Sequence, residues 1–175
     1  MPTTADLRPV AAWAATCAER VLPIFDAAAP TDARVRQAID AARDFAGGRP
    51  RDRALRDASF GAHRAAGAYT DPAAQSAARA ASMAAAVAYT HLDLTGTAAA
   101  RQTRHLLGAA AYAALATERA HGAQVAAEVT AQMIADADES VRQMVGELPP
   151  SVAGDTTLGR LLRELDVALR QPSGP

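Results

Sequence analysis

Thr70-Asp-Pro-Ala-Ala-Gln-Ser-Ala-Ala-Arg-Ala-Ala-Ser-Met-Ala-Ala-Ala-Val-Ala-Tyr89 is the stretch that settles the fold class. It opens as a helix should. The Asp71 carboxylate can accept from the amides of a first turn, and Pro72 supplies an initial residue whose missing N–H leaves no partner unsatisfied. From Ala73 onward the stretch is mostly Ala, the residue of highest helix propensity, and its methyl side chain lets helix axes approach closely. The rest of the chain repeats that choice. It holds 48 Ala in 175 residues, while aromatic residues, which favour strands, make up only 4%. The composition therefore predicts an all-α fold, a single-domain orthogonal or antiparallel bundle of about seven helices over residues 1–170, followed by a frayed tail over 171–175.

Working outward from residue 70, local signals divide the chain. Leu7, Val10, Ala14, Cys17 and Val21 recur at steps of three and four, so the first helix presents an apolar stripe flanked by Trp13. Pro23 lacks a donor and is expected to end or kink that helix before Ile24 and Phe25. A second helix starts after Thr31-Asp32, turns Val35, Ile39, Ala42 and Phe45 inward, and stops at Gly47-Gly48. Asp52 caps a third that reaches about Tyr69, and the fourth runs from Pro72 to about Tyr89. His91-Leu-Asp-Leu-Thr-Gly-Thr97 reads as a loop, the fifth helix as about Ala98 to Arg119, and Gly122 as a break. The sixth helix is expected to continue to Pro149-Pro150, with Asp136, Asp138 and Glu139 on its solvated face. Asp155-Thr156 caps a last helix that aligns Leu158, Leu161, Leu162, Leu165 and Leu169. No long-period repeat is evident.

Charge and cysteine content narrow the function classes. All 18 basic residues are Arg, and against 19 acidic residues they leave a net charge of −1. A chain so balanced has no global field to draw it onto nucleic acid or anionic lipid, and neither is an expected partner. The single Cys17 cannot make an internal disulfide, and as a member of the apolar stripe it reads as a core residue. The first residues lack a basic and then apolar leader, and the Ala runs are too short and too interrupted by Arg and Glu to cross a bilayer, so cytoplasm is the expected compartment.

The features that could carry chemistry are polar residues at helical spacing within Ala-rich helices. Arg56, Phe60, His63 and Gly67 share one face of the third helix, and Arg101, His105, Gly108 and Tyr112 share one face of the fifth, each at steps of four, three and four. Should these faces converge, they would line a pocket for an anion or a base poised near neutral pH. His105 leads this set, since Leu106 and Leu107 beside it imply a partly buried segment. The blander reading is that long side chains lie along the surface and that a lone His is a solvated or satisfied group. Metal binding has little support: His91 with Asp93, and Glu118 with His121, each offer two ligands where zinc needs at least three from the protein. No nucleophile elbow, phosphate loop or dinucleotide fingerprint is present, so no cofactor is expected.

Leu7-Arg-Pro-Val-Ala-Ala-Trp-Ala-Ala-Thr-Cys-Ala-Glu-Arg-Val-Leu-Pro-Ile-Phe25 resembles the opening of a family of all-helical, Ala-rich immunity proteins from bacterial polymorphic-toxin systems. Ala77-Ala-Arg-Ala-Ala81 and His105-Leu-Leu-Gly-Ala-Ala-Ala-Tyr-Ala113 resemble its core helices, so the likeness spans about residues 7–115. The resemblance implies a cytoplasmic protein that binds a cognate toxin and neutralises it by contact. This chain departs from the family's pattern where Met83 and Tyr89 stand in place of two His residues of the fourth helix, and in extra residues between Tyr89 and His105. Those departures keep a second reading open, a repurposed scaffold that acts as a small-molecule enzyme or ligand-binding protein. Its pocket would lie between the third, fourth and fifth helices, with His105, His63, Tyr112 and Tyr89 as catalytic candidates and Arg56, Arg101, Tyr69 and Met83 as substrate contacts. A third reading makes the Ala surfaces a homodimer interface.

Overall fold

A computed structural model describes residues 3–151 and 154–171, so most of the tail expected at 171–175 lies outside the described residues. Among them the chain forms eight α-helices and no strand. In order these are α1 (Leu7–Ala28), α2 (Arg34–Ala46), α3 (Arg53–Ala68), α4 (Pro72–Ala86), α5 (Gly96–His121), α6 (Ala123–Ala135), α7 (Glu139–Glu147) and α8 (Thr157–Leu169), with a 3₁₀ turn at Val87–Tyr89.

The starts obey local chemistry. Asp52 Oδ1 accepts from the amide of Leu55 at 2.9 Å, Asp71 Oδ1 from that of Ala73 at 2.9 Å, and Thr156 Oγ1 from that of Gly159 at 3.1 Å. Each satisfies an amide that the helix itself leaves without a partner. Gly122 takes φ +90° between α5 and α6, a backbone conformation that a side chain would strain.

Two boundaries differ from the sequence-based expectation. α1 runs through Pro23 to Ala28, with Pro23 exposed while Val21, Leu22 and Phe25 on either side of it are buried. Packing of those three side chains outweighs the one backbone bond that Pro removes. The expected sixth helix is instead two, because Asp138 is a cap: its Oδ1 accepts from the amide of Val141 at 3.0 Å and starts α7. The acidic group Asp136, Asp138 and Glu139 is thus a helix junction rather than one solvated face, and this raises the count from about seven to eight.

α4 lies at the centre, packed on α1, α2, α3 and α5. Ten of its fifteen residues are buried, including Ala77, Ala78, Ala80, Ala81, Ala84 and Ala85. A helix covered on all sides needs short side chains in every direction, and Ala provides them. α1 packs across α2, α4, α5 and α7, and its Trp13 does more than flank the stripe: it is buried, and its Nε1 donates to the Met133 carbonyl of α6 at 2.8 Å. The core joins this Ala-rich centre to larger groups, Phe25, Phe45, Ile39, Leu106, Leu107 and Leu165. α8 closes over α5 with Leu161, Leu162, Leu165 and Leu169 buried. No helix among the described residues is long and apolar enough to cross a membrane.

Candidate functional site

α4 is where the two polar helix faces meet. On α3, Arg56, Phe60, His63 and Gly67 are exposed together, as their spacing requires. On α5, Arg101 and His105 are exposed, Tyr112 is half-buried, and Gly108 is buried beneath Met83 of α4. A Cβ placed on Gly108 would collide with Met83 Cε and stand 3.1 Å from its Cγ, so the thioether occupies the space a side chain would need. Glycine at this point lets Met83 cross onto α5.

The result is an open trough in two adjacent parts. The larger, about 1010 Å³, runs between α3 and the 3₁₀ turn, and among its lining residues are Arg56, Phe60, His63, Met83, Tyr89 and His105. The smaller, about 340 Å³, lies between α5 and α8 and is lined among others by Met83, Arg101, His105, Tyr112, Leu158 and Leu162. Met83 and His105 belong to both. Seven of the eight candidate side chains therefore converge on this trough. The eighth, Tyr69, does not: its hydroxyl donates to Asp32 Oδ2 at 3.0 Å, and its ring meets Phe25 edge-on at 5.5 Å. It braces α1 against the start of α2.

Local contacts hold the trough walls in place. The Arg56 guanidinium lies over the Tyr89 ring, 5.2 Å from its centroid, and the Tyr89 hydroxyl donates to the Asp52 carbonyl at 2.6 Å. Ring and cation thus fix each other at the mouth. Ser59 Oγ donates to the Ser82 carbonyl at 3.0 Å, which ties α3 to α4. Arg79 Nη1 approaches His63 Nδ1 at 3.5 Å. In the loop after the 3₁₀ turn, the His91 amide donates to Gln102 Oε1 at 3.0 Å, and this brings the His91 side chain to the same trough.

His105 stands on a partly buried segment, as expected, while its own side chain reaches solvent. Leu106 and Leu107 turn fully inward, and His105, one residue earlier on the helix, points out. Its pKa nevertheless lies below that of an ordinary imidazole, first because neighbouring atoms desolvate the ring, then because Arg104 and His91 repel its charged form. Cys17 is buried in α1, and burial pushes its thiol far up, so it is a core side chain. No group of three His, Cys, Asp or Glu among the described residues is placed to hold a metal ion, although His63, His91 and His105 all reach one trough.

Arg51, Arg53 and Arg104 also line the trough, and the sequence reading passed over them. Arg104 comes three residues after Arg101, a helical spacing that marks the same face. Arg51 precedes the α3 cap and carried no such signal.

The family described as "Imm-5 like putative immunity protein" matches residues 2–139, a span that ends at the junction of α6 and α7. No curated protein and no solved structure matches the chain.

Proposed function

The chain belongs to the Imm-5-like immunity protein family, and from that premise we propose that it binds a cognate bacterial toxin and neutralises it by contact rather than by catalysis. The observation that carries the reading is the family match across most of the chain. The site's shape supports it. The candidate side chains line an open trough on the surface, which suits a face that meets another protein, whereas small-molecule sites enclose most of their ligand.

Contact inhibition and catalysis differ in stoichiometry. A toxin encoded beside this gene is titrated with the purified protein, and its activity is expected to fall in proportion to added protein and vanish near a ratio of about one to one, as tight complex formation requires. The same pair should migrate as one complex on size exclusion. Loss of toxin activity at a small fraction of that ratio, or protection without a complex, would refute inhibition by contact.

A further inference from the structure

The trough carries an excess of positive charge. Five Arg residues line its two parts, Arg51, Arg53, Arg56, Arg101 and Arg104, together with three His. One carboxylate lines them, Asp52, and its Oδ1 is engaged by the Leu55 amide. Among the described residues eight of the eighteen Arg form ion pairs, yet of the trough's five only Arg53 does, with Asp57 at 3.4 Å. Four of the ten Arg that form no ion pair among the described residues thus line this one trough, in a chain of net charge −1.

The same face offers an apolar anchor. Phe60 is 54% exposed and lies one helical turn after Arg56. Exposed aromatic and Arg side chains held in fixed positions are the usual centres of binding energy at protein interfaces. Arg56, stacked on Tyr89, keeps its N–H edge free while its face is occupied, and that edge matches the two oxygens of a carboxylate.

Resting on the toxin-binding reading, we propose that this trough is the surface that grips the toxin and that its occupant is an acidic segment of that protein, whose Asp or Glu side chains meet Arg56 and Arg104 beside an apolar residue on Phe60. A nucleic acid would also find cations and aromatic rings here, but the observations favour protein. Beyond Met83 the floor is formed by Leu158 and Leu162, which suit an apolar side chain better than a phosphate chain. The near-zero net charge also gives no broad positive field around the trough to hold a long polyanion.

The test compares the double charge reversal R56E/R104E, the neutral pair R56Q/R104Q and the control R64E. Arg64 also forms no ion pair among the described residues, but it faces the groove between α2 and α3. Thermal melts establish that each variant folds, and the neutral pair serves if the reversal does not. Affinity is measured for the toxin encoded by the neighbouring gene, for poly-L-glutamate and for a single-stranded oligonucleotide. R56E/R104E is expected to weaken toxin binding by about a hundredfold, R56Q/R104Q by about tenfold, and R64E by less than about threefold. Poly-L-glutamate should bind the parent protein more tightly than the oligonucleotide and lose its affinity in the same two variants. Toxin binding that survives both trough variants would overturn the proposal and leave the immunity reading standing. A parent protein that ignores the toxin would overturn the immunity reading, while the poly-L-glutamate arm still decides whether the trough takes acidic chains. Preference for the oligonucleotide would refute the acidic-segment assignment.

Discussion

α3 separates two grooves that treat charge in opposite ways. Toward α2 it borders a groove of about 600 Å³, whose lining includes Arg34, Arg49 and Arg64 against Asp40, Asp44, Asp52 and Asp57. Arg49 pairs with Asp44 at 2.9 Å, and Arg34 pairs with Asp32 at 2.5 Å. Toward α4 and α5 the same helix borders the trough, where cations outnumber carboxylates and most of the Arg lack an ion-pair partner among the described residues. Charges that close on one another hold a fold in register and gain little from a newcomer, whereas charges left open gain from a partner that supplies the missing sign. The proposed toxin contact rests on this difference, closed charges on one side of α3 and open ones on the other.

The aromatic residues of the two grooves give the largest contrast. Phe45 lines the α2 side, is 1% exposed, and lies beneath the Arg8 guanidinium, which stands 5.0 Å from the ring centroid. Phe45→Ala should lower unfolding free energy by about 3–5 kcal/mol in urea titration, the usual cost of emptying a buried aromatic site. Phe60→Ala on the trough side should change stability by less than about 0.5 kcal/mol, as exposed positions generally do, yet weaken toxin binding. Equal stability losses at both positions would erase the contrast.

Next in size is the crossing of α4 and α5, on which the trough's shape depends. Gly108→Val drives a branched side chain into Met83 and should cost about 1–3 kcal/mol by overpacking. Adding Met83→Ala in the same chain should recover most of that loss, since it empties the space the valine needs, and a double-mutant cycle measures the coupling. No recovery would mean that Gly108 is required for some reason other than Met83.

How much of the fold and the trough was legible in the sequence depends on the range of each interaction. Asp52, Asp71 and Thr156 announced their helices because a cap bonds to an amide two or three residues away. Asp138 does the same, but an Asp on an exposed helical face and an Asp that starts a new helix are the same letter, and that junction was missed. Pro23 does not end α1, because its local cost is legible in the sequence while the compensating burial of Leu22 and Phe25 is tertiary. The faces of α3 and α5 were readable from spacing alone, whereas their convergence depends on Met83 packing over Gly108, a contact between residues 25 positions apart. Tyr69 could not be excluded from the trough by sequence, because its partner Asp32 lies 37 residues away. For His105 the neighbours Leu106 and Leu107 did mark a partly buried segment, but positions on a helix point about 100° apart, so their burial left the direction of the imidazole open.

The smallest effects concern pH, and the two sides of α3 differ in the range where they respond. On the structural side, bonds from Arg34 chiefly, with help from Tyr69, bring the Asp32 carboxyl down to about 2. A carboxylate with a folded pKa below its unfolded value stabilises the fold above the unfolded pKa, and that contribution disappears as pH falls from about 4 through about 2. Asp32→Asn should therefore lose about 1 kcal/mol at neutral pH and little at the acid end of the range, as read from urea midpoints across pH. On the trough side, His105 has a folded pKa below its unfolded value, so the folded state binds its proton less readily. Stability should then decline slightly as pH falls through the ordinary imidazole range of about 6.5, and His105→Gln should flatten that decline. The slope should be slight because the ring is exposed to solvent, and a decline that His105→Gln leaves unchanged would refute its assignment to the desolvation of this ring and to repulsion from Arg104 and His91.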